Sequence, residues 1–146
     1  MNWIGDLPHI GRLARLPYIE MMRVQYQKMG ELGLTELNQT HSVIFQTIGE
    51  GARLTQMAKK ANLSKQNIKH LINSMEKLGF VESTQDPTDG RAIIYRLTAK
   101  GVNWRDQAYD IIGSIENKWA ESIGVEKMIE LKKLLIILNE SINSKP

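Results

Sequence analysis

The sequence predicts a mainly α-helical fold that carries one small β-hairpin, an α+β arrangement. Along most of the 146-residue chain, apolar residues recur at intervals of three and four positions, which is the period of an amphipathic helix. Between Phe80 and Leu97 this period gives way to β-branched and aromatic residues around a cluster of turn formers. The length is that of one domain, which we expect to span residues 1–146.

Two helices are predicted before residue 50. The first has apolar residues at helical spacing and ends at Gly30 and Gly33. Pro17 is either a first-turn residue of this helix or a kink in a longer helix that starts near Pro8. A second helix is expected over residues 39–49, with Asn38 as its N-cap.

Two further helices are predicted close together, separated by a tight turn. Thr55 is expected to cap a helix that runs to Ala61, and Ser64 to cap one that runs to Leu78. Gly79 is placed to end the latter in a left-handed conformation. Its apolar stripe consists of Ile68, Leu71, Ile72, Met75 and Leu78.

The C-terminal half is predicted as a hairpin followed by two long helices. Strands are expected at 80–83 and 92–97, joined by a long tip over 86–91. Thr98 is expected to cap a helix that runs to about Ile123, with Gly124 separating it from a last helix. The apolar face expected on the former is Tyr109, Ile112, Ile115 and Trp119, and on the latter Met128, Leu131, Leu134, Leu135, Leu138 and Ile142. These faces exceed what one small domain covers, so we expect dimerisation helices at 8–36 and 102–146 around a core at 37–101.

Composition excludes several classes of protein. No apolar run is long enough to span a membrane, and the stretch from Met1 to Leu13 is interrupted by Asp6, so we expect no signal peptide and a cytoplasmic location. The absence of cysteine excludes disulfides, thiolate metal sites and thiol-based switches. The histidines lie far apart, and no phosphate loop or nucleophile elbow occurs. We therefore expect no metal, no cofactor and no enzymatic activity.

Positive charge is concentrated in one third of the chain. Between Ala52 and Gly101 there are nine basic residues and four acidic ones, whereas the whole chain has a net charge of +3. A local excess of this kind indicates either a polyanion-binding face or a lysine-rich soluble surface.

The order of helix, tight turn, helix and basic hairpin is that of a winged helix-turn-helix. In this arrangement the first helix braces the second, whose exposed side enters the major groove of DNA. An arginine on the wing can enter the minor groove, and Asp89 can hold the tip through backbone amides or the Arg91 guanidinium. The alternatives are a plain amphipathic helix with a solvated face and an ordinary Asp-Gly turn. The candidate DNA-binding residues are Thr55, Ser64, Lys65, Gln66, Asn67, Lys69, His70, Asn73, Asp89 and Arg91.

Several motifs in this segment resemble those of the multiple-antibiotic-resistance-regulator (MarR) family. They are Leu54-Thr55-Gln56-Met57-Ala58, Leu63-Ser64-Lys65-Gln66, Met75-Glu76-Lys77-Leu78-Gly79-Phe80-Val81, Asp86-Pro87-Thr88-Asp89-Gly90-Arg91 and Leu97-Thr98-Ala99-Lys100-Gly101. The resemblance implies a homodimer that binds a pseudo-palindromic operator, usually as a repressor, and that a small aromatic acid often releases. It also implies pairing through the terminal helices and maps the wing Asp and Arg of the family onto Asp89 and Arg91.

The recognition helix departs from the family pattern. Asn67 and His70 stand where many members have a small hydroxyl residue and then an arginine, and Asn73 replaces a frequent aspartate. These differences bear on which operator sequence is recognised more than on whether the chain binds DNA. The cysteine-based peroxide sensing of the family cannot operate in this chain.

Two further points are expectations from the sequence. A ligand pocket would lie between the dimerisation helices and the winged domain, with Tyr26, His41 and Tyr109 as candidate lining residues, although the same residues are more typical of an ordinary half-buried core. His70 can make DNA binding pH-sensitive, or act as a simple groove-facing donor. The partners expected are double-stranded DNA, a second copy of the chain and a small-molecule effector. The alternative function is a winged-helix adaptor that binds a protein rather than DNA.

Overall fold

The computed structural model describes residues 4–144, which form the expected mainly helical fold with a two-stranded hairpin. In chain order the elements are α1 (Ile10–Glu31), α2 (Ser42–Ile48), α3 (Leu54–Ala61), α4 (Lys65–Lys77), β1 (Val81–Asp86), β2 (Asp89–Leu97), α5 (Ala99–Ile123) and α6 (Val125–Asn143). Short 3-10 turns precede α1 and α2 at Ile4–Asp6 and Gln39–His41. Residues 1–3 and 145–146 of the predicted domain lie outside the described part.

The first helix is the longer of the two alternatives that the sequence allowed. α1 begins at Ile10, and Pro17 lies inside it. The imidazole of His9 caps the helix, because its Nδ1 accepts a hydrogen bond from the Arg12 N–H at 3.2 Å. The second predicted helix is divided into the 3-10 turn Gln39–His41 and α2. Asn38 caps the 3-10 turn, since its side chain accepts from the Thr40 N–H at 3.0 Å, whereas the N-cap residue of α2 is His41, which makes no side-chain cap bond.

The prediction that Thr55 caps α3 is wrong. α3 begins at Leu54, and the cap residue is Arg53, whose extended backbone places its N–H 2.8 Å from the Oε1 of Gln56. A glutamine at the third helical position can satisfy the N–H of the cap residue in this way, which moves the start of the helix back along the chain. Thr55 therefore lies in the first turn, with its side chain exposed.

Both predicted ends of α4 are confirmed. The Ser64 hydroxyl accepts from the Asn67 N–H at 3.1 Å at the start. At the end, Gly79 has a φ of 78°, and the N–H groups of Gly79 and Phe80 donate to the carbonyls of Glu76 and Met75 at 3.0 and 2.9 Å. This pair of bonds is the Schellman motif, which requires the left-handed residue that glycine supplies.

The hairpin has longer strands and a shorter tip than predicted. β1 and β2 pair antiparallel from Val81 and Leu97 up to Asp86 and Asp89, so only Pro87 and Thr88 form the turn. The Asp86 carboxylate accepts from both the N–H and the hydroxyl of Thr88 at 2.8 Å and closes this turn locally. A side chain that bonds the backbone two residues ahead lets an aspartate end a strand without a long loop. Ala52 adds a bridge to Tyr95 on the other edge of β2.

The core joins the helix-turn-helix to α5 through Trp104. Its ring stacks on Phe45 of α2, with centroids 4.8 Å apart, and meets the ring of Phe80 edge-on at 6.5 Å. The predicted apolar face of α5 was centred on the wrong residues. Ile115 is buried, but Tyr109 is 46% exposed, and the stripe that enters the core is Trp104, Ala108 and Ile115. Leu78, predicted on the α4 stripe, is 39% exposed because α4 ends just before it.

The last helix packs along α5 but buries none of its residues within the single chain. Most large apolar residues of α6 are exposed, as are those in the N-terminal half of α1. Among residues 4–144, no helix has the length and apolar content needed to cross a membrane.

Candidate nucleic-acid interface

The recognition helix α4 is held by a fully buried apolar face. Ile68, Ile72 and Met75 are inaccessible to solvent, and Met57 of α3 is buried with them. The turn between the two helices is fixed by Asn62, which adopts a left-handed conformation with a φ of 53°. Because an asparagine tolerates this conformation better than most residues, α3 can stop and α4 can restart after Leu63.

The opposite face of α4 is polar and fully available. Ser64 caps the helix, and every candidate residue along its outer side is exposed: Lys65, Gln66, Asn67, Lys69, His70 and Asn73. The side-chain amides of Gln and Asn can bond bidentately with adenine, and Lys can reach guanine acceptors or phosphates. This face thus meets the steric and chemical requirements of a major-groove reader.

The wing presents Arg91 at the start of β2, on an exposed edge beside the turn. Of the two roles suggested for Asp89, the structure favours the bond to a backbone amide. Its Oδ1 accepts from the Arg91 N–H at 3.1 Å, while its Oδ2 lies 3.8 Å from a guanidinium nitrogen of Arg53. This bond fixes the backbone N–H of Arg91 beside the turn.

A clamp between Arg53 and Asp86 ties the wing to the start of α3, and sequence reasoning missed it. The guanidinium Nε of Arg53 donates to the Oδ2 of Asp86 at 2.8 Å, and the Asp86 side chain is only 6% exposed. Hydrogen bonds from Thr88, together with the Arg53 guanidinium, lower the pKa of Asp86 to about 2. Thirty-three residues separate the two partners, so no local pattern could have paired them.

Lys100, which contributes to the positive charge of this segment, is engaged in the fold. Its ammonium donates to the carbonyl of Leu78 at 3.0 Å, pairs with Glu36 at 2.8 Å and lies 4.4 Å from the ring centroid of Phe80. A cation at the C-terminus of a helix is favoured by the helix dipole. Lys100 therefore holds the end of α4 rather than standing ready for phosphate.

The three candidate ligand residues do not line a common cavity. The Tyr26 hydroxyl donates to the carbonyl of Asn38 at 2.8 Å, and burial raises its pKa to about 12. His41 is 8% exposed and lines an open groove of about 1000 Å³ between α1, the turn before α2 and α4. Tyr109 lines a separate cavity of about 20 Å³ between α1, α2 and α5.

The smaller cavity holds two buried polar atoms without hydrogen-bond partners among the described residues. These atoms are the Oε1 of Gln25 and the Nε1 of Trp104. An unpaired buried polar atom is costly, and its usual explanation is a water or a ligand. A volume of this size is about that of one water probe sphere. Elsewhere in residues 4–144, no three His, Asp or Glu side chains are grouped as metal ligands would be.

Comparison with known proteins agrees with this geometry. The sequence profile of the MarR family matches residues 37–93, from the start of the second helix to the middle of β2. The match covers less than half of the chain and spans α2, α3, α4, β1 and the first part of β2, so this segment is similar to the winged helix-turn-helix domain of that family. The resemblance first noted in the motifs is confirmed. The HTH-type transcriptional regulator YkoM of Bacillus subtilis strain 168 is 34% identical over 59 residues, a stretch that covers 40% of this chain and 38% of YkoM.

Solved MarR-like structures extend the likeness to nearly the whole chain. NadR in complex with 4-hydroxyphenylacetate superposes with a TM-score of 0.73 at 19% identity, over 95% of this chain and 98% of NadR. The transcriptional repressor CouR bound to a 23-mer DNA duplex superposes with a TM-score of 0.72 at 19% identity, over 94% of this chain and 98% of CouR. At such identities the likeness establishes the fold alone.

Proposed function

We propose that this MarR-family protein is a cytoplasmic homodimeric transcriptional repressor that binds a pseudo-palindromic operator. In this proposal α4 reads the major groove, Arg91 enters the minor groove and Asp89 shapes the wing. The observation that carries it is the exposed polar face of α4, from Ser64 to Asn73, backed by a completely buried apolar face.

The proposed dimer rests on uncovered apolar surface at both ends of the chain. In α6, Val125, Leu134 and Ile137 are 58–63% exposed, and near the N-terminus Leu7 and Leu16 are 63% and 72% exposed. Monomeric proteins rarely expose contiguous apolar patches of this extent. A second copy would cover them and would place two α4 helices about one turn of DNA apart.

Light scattering tests the dimer directly. The wild-type chain is expected to have the mass of two subunits at micromolar concentration. A double substitution, Leu134→Lys with Ile137→Lys, is expected to yield monomers, whereas Lys133→Gln on the same helix leaves the mass unchanged. A monomeric wild type would contradict the proposal.

Selection of bound duplexes from random 30-base-pair DNA tests the function as a whole. We expect a palindrome with half-sites about one helical turn apart. If no sequence is enriched but one protein partner is repeatedly co-purified, the protein-interaction adaptor becomes the better assignment.

The salt dependence of binding tests the role of Arg91. Each phosphate contact that is lost reduces the slope of log K against log salt by about 0.9. A dimer carries two wings, so Arg91→Gln is expected to reduce the slope by about 2. Arg23→Gln on α1 removes the same charge far from the wing and is expected to leave the slope unchanged. An Arg91→Gln slope equal to that of the wild type would overturn the assignment of the wing.

We further propose that a small aromatic acid releases the protein from DNA by entering the space between α1, α2 and α5. The support is the pair of unpartnered atoms, Gln25 Oε1 and Trp104 Nε1. Arg105 lines the same space, with its guanidinium paired to Asp106 at 2.8 Å. NadR, which shares the fold, is bound to 4-hydroxyphenylacetate in its structure. Since the cavity is about 20 Å³, a ligand must widen it and move α5 relative to the DNA-reading elements.

Thermal unfolding with 4-hydroxyphenylacetate tests this second proposal. The acid is expected to raise the Tm of the wild type and to weaken DNA binding. Gln25→Leu, which removes one unpartnered atom at nearly constant volume, is expected to reduce the shift in Tm. If a panel of aromatic acids gives no shift, the effector proposal fails while the DNA-binding proposal stands.

A further inference from the structure

A continuous chain of hydrogen bonds runs from α1 to the recognition helix. The Tyr26 hydroxyl donates to the carbonyl of Asn38 at 2.8 Å, and the Asn38 N–H donates to the Nδ1 of His41 at 3.1 Å. The Nε2 of His41 lies 2.8 Å from the hydroxyl of Ser74 in α4, which in turn donates to the carbonyl of Leu71 at 2.9 Å. We call the set Tyr26, Asn38, His41 and Ser74 the relay.

The donors of the relay fix the protonation state of His41. Because Nδ1 accepts the backbone N–H of Asn38, it carries no proton, so the neutral ring must hold its proton on Nε2. Nε2 then donates to Ser74, whose own hydrogen is used by Leu71. In the His41 ring, Nδ1 therefore accepts a hydrogen bond and Nε2 donates one. All the hydrogen bonds of the relay can form together only when the imidazole is neutral.

Burial keeps His41 neutral. The residue is 8% exposed, and burial lowers its pKa; the backbone of Asn38 acts in the opposite direction and the nearby His70 in the same one as burial. The titratable groups that share its groove are Tyr18 from α1 and His70 from α4, and no carboxylate lines the groove to stabilise an imidazolium. Protonating His41 would place a proton on Nδ1, facing the Asn38 N–H, and would break that bond.

We propose that His41 is a positioning residue that fixes α4 relative to α1 in its neutral form, and that its protonation loosens α4 and weakens DNA binding at acid pH. The same elements flank the DNA-reading face, since Gln66, Asn67 and His70 line the groove together with His41. Two half-sites bind with high affinity only when each α4 is held in register with the other. The part of this inference that concerns affinity rests on the proposed DNA-binding function.

The direction of the pH effect follows from the lowered pKa. His41 favours the neutral ring in the folded protein, so its contribution is complete above the ordinary histidine pKa. The contribution is lost as the pH falls through the lower pKa of the folded state. His70 lines the same groove, so the pH profile is measured in a His70→Gln background, in which no second imidazole lies beside His41.

The affinity experiment uses the duplex enriched from the random library, over a series of pH values falling from 7.5 at constant ionic strength. In the His70→Gln background, binding is expected to weaken on the order of fivefold once the pH has fallen through the lowered pKa of His41, the effect of about one buried hydrogen bond. Adding His41→Gln, which retains an amide donor and acceptor but does not titrate, is expected to abolish this loss. An equal loss with His41→Gln would overturn the proposal.

Serine variants test the link to α4 at pH 7.5. Ser74→Ala removes the acceptor of His41 and is expected to weaken binding on the order of fivefold. Ser114 makes the same bond to a carbonyl three residues back, at 2.7 Å in α5, but is outside the relay. Ser114→Ala therefore controls for the removal of a serine that bonds a carbonyl of its own helix. If Ser74→Ala and Ser114→Ala bind DNA with equal affinity, the link between His41 and α4 is refuted.

A measurement without DNA separates this inference from the proposed function. Nitrogen NMR of the His41 ring is expected to show the proton on Nε2 at pH 7.5. Exchange of the Asn38 amide with solvent, corrected for the intrinsic pH dependence, is expected to accelerate as the ring titrates. A proton on Nδ1 at pH 7.5, or an Asn38 amide unaffected by the titration, would overturn the relay whether or not the protein binds DNA.

Discussion

Replacing Gly101 by alanine is expected to destabilise the protein, because this glycine lies where α5 meets the end of the recognition helix. A Cβ at Gly101 would stand 2.1 Å from the carbonyl oxygen of Phe80 and 3.3 Å from the Cβ of Leu97. The Phe80 oxygen already accepts the N–H of Thr98 at 3.0 Å, and the Thr98 hydroxyl donates to Gly79. Relief of the contact requires a backbone shift of more than about 1 Å, which these bonds oppose.

The magnitude follows from three contributions. Overpacking costs about 1–3 kcal/mol, and each hydrogen bond that is disturbed costs about 1 kcal/mol. The gain in helix propensity from Gly to Ala is about 1 kcal/mol. With both Thr98 bonds disturbed, the net expectation for Gly101→Ala is a loss of about 2–4 kcal/mol in the free energy of unfolding.

Urea unfolding followed by circular dichroism, at one fixed protein concentration, measures this change. Gly113 provides a matched control on the same helix, since a Cβ there meets no atom within 4 Å. Gly113→Ala is expected to stabilise the protein by up to about 1 kcal/mol. If both alanine variants stabilise the protein equally, the close approach at Gly101 does not govern this junction, and the reasoning is refuted.

Three more predictions concern the caps, the wing and the core. Ser64→Ala removes the acceptor of the Asn67 N–H and is expected to cost about 1 kcal/mol in urea unfolding, whereas Ser64→Asp retains the cap. The pKa of Asp86 is about 2 in the fold against an ordinary value of 3.8, so its stabilising contribution is complete above that ordinary value. It is lost as the pH falls towards 2, and Asp86→Asn should lack this component of the acid profile. Trp104→Leu removes the ring that stacks on Phe45 and is expected to cost about 2–4 kcal/mol in a calorimetric or denaturant experiment.

Local signals were sufficient for most of the helices. Ser64, Gly79 and Thr98 were recognised as caps because each acts on the backbone within five residues along the chain. The spacing of the apolar residues predicted α4 correctly and identified its opposite face as polar. Thr55 was misassigned as a cap because Gln56, three residues beyond the true cap Arg53, offered an acceptor for the Arg53 N–H that only the folded turn selects.

The predictions for the hairpin and for α5 were wrong where contacts between residues distant in sequence, rather than the local sequence pattern, determined the structure. The residues 86–91 are rich in turn formers, yet pairing with β1 extends β2 back to Asp89 and leaves a two-residue turn. In α5 several stripes were compatible with helical spacing. The neighbours Phe45 and Phe80, distant in sequence, decided that Trp104 rather than Tyr109 enters the core.

The sequence by itself determined the element types, the winged helix-turn-helix and its MarR resemblance, because these depend on periodicity and on caps that act within a few residues. Only the tertiary structure decided which polar groups meet. Arg53 finds Asp86, and His41 finds Ser74, each across 33 residues. Such pairs depend on how whole helices and strands are placed against one another by the buried core. No property of the residues taken along the chain specifies that placement pair by pair.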